Sequence, residues 1–68
     1  MNVTVNGREA DVPDGATVQS VLALLELAPD SRGVAVAVDA EVLPRGEWTS
    51  ARLTPGARVE VLRAVQGG

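Results

Sequence analysis

At 68 residues the chain makes one small domain, of a size that buries only about 60% of the surface its unfolded form exposes, so a single apolar core has to hold it together. It has no cysteine, histidine or tyrosine, which excludes disulfides, a thiol nucleophile and a structural zinc site, removes the commonest general base, and argues against an independent enzyme. The formal charge of −3 comes from six arginines, no lysine and nine acidic residues spread without a run, and Trp48 is the one aromatic, so neither a basic stripe nor a stacking platform for nucleic acid is present.

Met1, Val3 and Val5 alternate with Asn2 and Thr4. Asn6-Gly7 then supplies the two positive-φ positions of a type I′ turn, and Arg8 to Val12 is predicted to return antiparallel as the second strand of a hairpin. Pro13-Asp14-Gly15 breaks that strand, and Thr17 sits where a hydroxyl can cap the next helix. The helix is predicted from about Val18 to Leu27, with Val18, Val21, Leu22 and Leu25 on one core-facing stripe. Pro29-Asp30 ends it, and Ser31-Arg32-Gly33 loops onward. The stretch from Val21 to Ala28 is too short to span a bilayer and is interrupted by Glu26, while Met1-Asn2-Val3-Thr4 lacks the shape of a signal peptide; no membrane association and a cytoplasmic location are expected.

Val34, Val36 and Val38 alternate with Ala35 and Ala37 and predict a third strand. A tight turn at Asp39-Ala40 leads to a short strand, Glu41-Val42-Leu43, and Pro44 to Trp48 reads as irregular or 3₁₀ structure. Thr54-Pro55-Gly56 is the last turn signal, before a strand over Ala57 to Ala64 in which Val59 and Val61 share a face.

One amphipathic helix cannot bury its stripe alone. The α+β solution lays it across a mixed sheet of four to five strands, with Val3, Val5, Val34, Val36, Val59 and Val61 as its partners, and the crossover helix lets a later strand lie parallel to the first. This order is that of a ubiquitin-like β-grasp, spanning residues 1–64, followed by a flexible tail, 65–68.

The chain stops on Gly67-Gly68. Two residues without Cβ can enter a narrow channel, and the terminal acyl carbon of Gly68 is open to attack, which suits acyl activation; the alternative reading is a frayed end that tolerates small residues. The absence of lysine leaves the Met1 amine as the internal target for an activated terminus, although an Ala-, Val-, Arg- and Gly-rich composition accounts for that absence as well.

The Val3-Thr4-Val5-Asn6-Gly7 hairpin, Ala16-Thr17-Val18 with Leu24-Leu25, Val34 to Val38, Leu43-Pro44-Arg45 with Trp48, and the ending Ala64-Val65-Gln66-Gly67-Gly68 together resemble the thiamine-biosynthesis sulfur carriers along essentially the whole chain. Asp39, where asparagine is common, and Ala57, where an acidic residue often follows the turn glycine, are the departures. The resemblance implies a carrier, not an enzyme, whose Gly68 carboxylate is adenylated by an E1-like adenylating enzyme using ATP and Mg²⁺. It then takes sulfur from a persulfide donor such as a cysteine desulfurase, and thiazole synthase consumes the resulting thiocarboxylate. Other readings are a carrier for another recipient such as molybdopterin synthase, a ubiquitin-like protein modifier, and a non-covalent β-grasp module. No resident cofactor or metal and a monomer when free are expected.

Gly67, Gln66 and Val65 are the residues expected to extend the tail into partner channels, or else to fray from the last strand. If Val59 and Val61 face the helix, then Leu62 and Ala64 face outward beside Ala35 and Ala37, giving an apolar patch that reads either as a partner-binding surface or as an uncovered sheet face. Trp48 is expected to close the core with its indole N–H bonded at the rim. Arg58 and Arg63 are expected to serve solubility, with pairing to acidic groups of a partner as the other reading.

Overall fold

The computed structural model describes residues 1–25 and 33–63. Along them run β1 (Asn2–Val5), β2 (Arg8–Asp11), α1 (Val18–Leu24), β3 (Val34–Val38), β4 (Glu41–Leu43), a 3₁₀ turn (Arg45–Glu47) and β5 (Arg58–Arg63). The strands form one five-stranded sheet in the order β2-β1-β5-β3-β4. Its β1–β2, β3–β4 and β3–β5 pairings are antiparallel, whereas β1 and β5 run parallel with Val5 opposite Val59. The last strand therefore lies in the middle of the sheet, as the β-grasp reading requires.

Local chemistry accounts for the turns. Asn6 and Gly7 at the β1–β2 turn have φ of 52° and 82°, and Asp39 and Ala40 at the β3–β4 turn have 50° and 72°, the left-handed pairs that match the twist of the flanking strands. Thr17 caps α1 in an extended conformation, its hydroxyl accepting from the Ser20 N–H at 3.3 Å. Gly56, at φ 83°, turns the chain into β5, and the Ala57 N–H donates to the Thr54 carbonyl at 3.0 Å.

One helix expectation is corrected. The helix ends at Leu24, and Leu25 is its C-cap, donating to the carbonyls of both Val21 (3.2 Å) and Leu22 (3.1 Å). That shared bond marks a tightening last turn, after which the backbone leaves helical geometry (ψ 5°) and carries Leu25 off the stripe. Leu25 is 42% exposed, so the core face consists of Val18, Val21 and Leu22. The predicted continuation to Leu27 falls outside the described residues.

Under the helix, Val3, Val5, Val36, Val59 and Val61 join that face in one buried cluster, while Val34 packs at its margin. Val12, Ala16, Leu53 and Ala57, all from connecting segments, complete it. Trp48 is 2% exposed and donates its indole N–H to the Leu43 carbonyl at 3.1 Å, as expected, with the Arg45 guanidinium 4.6 Å above the ring centre. Burial of that side chain contributes on the order of 5 kcal/mol of apolar transfer, the largest single share in this core. Among the described residues no helix is long and apolar enough to cross a membrane.

Candidate functional site

β5 is the element that leads to the glycine pair, and its backbone is held from both sides. Toward β1, the Thr4 N–H donates to the Ala57 carbonyl and the Asn6 N–H to the Val59 carbonyl, both at 2.9 Å. Asn6 then bonds Val61 through its side chain. Its Oδ1 accepts from the Val61 N–H at 2.8 Å and its Nδ2 donates to the Val61 carbonyl at 3.3 Å. Toward β3, the Asp39 N–H donates to the Arg58 carbonyl at 2.8 Å and its Oδ1 accepts from the Arg58 N–H at 3.0 Å. Each hairpin thus lends the first residue of its turn to the strand between them.

The sheet face away from the helix carries the predicted patch. Leu62 is 66% exposed and stands opposite Ala35, which is also exposed. Ala37 is half-buried, between Val42 on β4 and Glu60 on β5. Because β3 and β5 are antiparallel, Ala37 lies level with Glu60, farther from the tail than Leu62. Val42, 78% exposed, extends the same apolar face across β4. Its place in the alternation Glu41-Val42-Leu43 was the available signal, and only the sheet order shows that β4 neighbours β3 on the far side from β5. Ala64, Val65, Gln66, Gly67 and Gly68 lie outside the described residues.

On the helix side, a cavity of about 210 Å³ is lined by Asn6, Leu25, Val61 and Arg63. The Met1 amine donates to the Val12 carbonyl at 2.6 Å and stands 3.5 Å and 3.4 Å from the carboxylates of Asp11 and Asp14, which ties it to the segment after β2. Arg58 and Arg63 have exposed side chains.

Residues 2–68 match the model of the ThiS family. The chain belongs to the ThiS family. The crystal structure of the thiamine biosynthesis protein ThiS from Geobacter metallireducens superposes with a TM-score of 0.81, at 33% identity and covering 100% of both chains. The solution structure of a thiamine biosynthesis protein from the same organism gives a TM-score of 0.77 at 33% identity, covering 100% of this chain and 88% of that one. A curated thiazole synthase from Paramagnetospirillum magneticum is 31% identical over 68 residues, which are 100% of this chain but 20% of the relative. This ThiS-family chain therefore spans about a fifth of the length of that curated relative. Membership of the ThiS family and the β-grasp fold agree.

Proposed function

We propose that this ThiS-family protein is a sulfur carrier for formation of the thiazole ring of thiamine, with the Gly68 carboxylate as the carrying group. The match of the ThiS family to residues 2–68, through the glycine pair, is the observation that most supports it. The chemistry balances as follows. A Gly68 carboxylate oxygen attacks the α-phosphorus of ATP on an E1-like enzyme, the α–β phosphoanhydride bond breaks, and pyrophosphate leaves. The terminal sulfur of a persulfide, supplied by a donor such as a cysteine desulfurase, then attacks the acyl carbon and expels AMP. A thiol takes over the other sulfur of the resulting S–S bond, forming a disulfide and releasing the thiocarboxylate. Adenylation is needed because a carboxylate is a poor electrophile and the mixed anhydride has a good leaving group. ATP and Mg²⁺ act on the partner, and the carrier is its co-substrate.

Thiazole synthase is the proposed recipient. A protein of that name contains, within one polypeptide, a stretch similar to this entire chain, which supports a physical association of the two activities. The proposed docking surface is the apolar face of Leu62, Ala35, Ala37 and Val42 continued by Ala64, with Val65, Gln66 and Gly67 reaching into the partner channel. The protein acts as a cytoplasmic monomer when not engaged.

Intact-protein mass spectrometry after incubation with the activating enzyme, ATP, Mg²⁺ and the persulfide donor tests the reading. The expected result is the mass gain of one oxygen replaced by sulfur, localised to Gly68 and absent from a Gly68-deleted control. An unchanged mass with demonstrably active enzymes would sink it, and conjugates on lysines of other proteins would replace it with the modifier reading.

A further inference from the structure

We infer that Asn6 is a positioning residue for acyl transfer: its side-chain amide takes the place of a peptide group in the sheet and so fixes the strand from which the terminal glycines extend. The inference rests on the carrier reading above and adds to it a residue remote in sequence from the tail.

In a parallel pair the two strands exchange evenly spaced bonds. β1 does so with β5 up to the Asn6 N–H, which reaches the Val59 carbonyl at 2.9 Å. The next bond of the ladder would join the Val61 N–H to the Asn6 main-chain carbonyl. Asn6, however, has φ of 52° and belongs to the turn that sends the chain back along β2, and the Val61 N–H goes to its side chain instead. Its carboxamide substitutes: the oxygen accepts from Val61 N–H at 2.8 Å and the nitrogen donates to Val61 C=O at 3.3 Å. An amide offers one donor and one acceptor in a plane, as a peptide unit does. Val61 is buried, and pairing both of its backbone groups avoids the penalty of leaving them unmade.

Past this point β5 keeps strand pairing on its β3 side alone, through Ala35 opposite Leu62 and Val34 opposite Arg63. Among the described residues the Asn6–Val61 contact is thus the last lock on the β1 side, with Gly68 seven positions further on. A carboxylate must meet the α-phosphorus of ATP in line, and loss of such alignment lowers the rate of the step rather than the affinity of the docked protein. Docking is assigned to the opposite sheet face, so the two effects are separable.

Asn6→Asp is the informative variant. Aspartate tolerates the left-handed turn and keeps an acceptor for the Val61 N–H, but sets a carboxylate oxygen against the Val61 carbonyl. Asn6→Ala removes both bonds. Steady-state thiocarboxylate formation, followed by mass well below the unfolding temperature of each variant, is expected to show kcat down by about tenfold for either variant with KM for the carrier within about twofold. Hydrogen exchange at the Val61 amide is expected to speed up by at least about tenfold in Asn6→Ala. A kcat equal to that of the unaltered protein, or a Val61 amide as protected as before, overturns the positioning role while leaving the carrier reading intact. If the unaltered protein itself gains no sulfur, the carrier reading fails, and this inference fails with it.

Discussion

Asp39 and Arg58 are joined by two hydrogen bonds, main chain to main chain at 2.8 Å and carboxylate to main chain at 3.0 Å, so the β3–β4 turn is fastened to the first residue of β5. The residue after Asp39 bears the cost of that arrangement. Ala40 sits at φ 72°, where its Cβ crowds the following carbonyl, and a glycine there would relieve the clash. Ala40→Gly is expected to raise stability by about 1 kcal/mol, seen as a higher urea midpoint at unchanged slope. A midpoint that stays or falls would show that the turn holds no such strain.

Leu62 is expected to matter for association and little for folding. Leu62→Arg lays an aliphatic stem over Ala35 and places a charge on the outer face, so stability should change by no more than about 0.5–1 kcal/mol. Calorimetric titration against the activating enzyme should give an affinity at least about tenfold weaker, the usual scale for a charge set into the apolar centre of an interface. Equal affinity would move the docking surface elsewhere.

The seven-residue helix has no acidic side chain in its first turn; its Val18 and Gln19 N–H groups donate to the Ala51 (3.3 Å) and Trp48 (3.0 Å) carbonyls, and the Thr17 hydroxyl is the side-chain acceptor for the Ser20 N–H. Helices this short do not persist on propensity alone. Thr17→Ala is expected to cost about 1 kcal/mol and Thr17→Ser little, as measured by thermal unfolding followed by circular dichroism. Equal losses in both variants would point to the threonine methyl, not the hydroxyl.

Trp48, the sole aromatic, is a built-in reporter. Its fluorescence is expected at short wavelength in the folded protein and to shift to long wavelength on unfolding. Trp48→Phe leaves the Leu43 carbonyl without its indole donor and shrinks a filled volume, for an expected loss of about 1–3 kcal/mol in denaturant melts. An unshifted melt would mean that the rim bond and the packing beneath it are dispensable.

Much of the architecture was legible because it is written in local rules. Asn6-Gly7 announces its turn, Thr17 its helix, and the alternating valines of 34–38 and 59–61 their buried faces. What escaped depends on register or on the end of periodicity. Leu25 fits the helical spacing, yet the helix tightens there, and no spacing rule records where the last turn closes. Ala16 and Leu53 are buried from connections in which no period exists to reveal them. The second role of Asn6 could not be read beside its turn signal, since it appears only once β1 and β5 are known to run parallel with Val5 opposite Val59. For the site itself, the glycine pair carries its chemical meaning in composition alone, whereas the makeup of the outer face, including Val42, needed the sheet order.

The central place of β5 also decides how the protein responds to being pulled. A partner that draws in the residues after Arg63 applies force along the axis of β5, while the hydrogen bonds that hold this strand lie across that axis, to β1 on one side and β3 on the other. Such bonds share the tension in shear and cannot be peeled singly, as they could be from an edge strand. The domain therefore resists a pull along β5 through both flanking strands at once, which is the direction in which its proposed partners would tug.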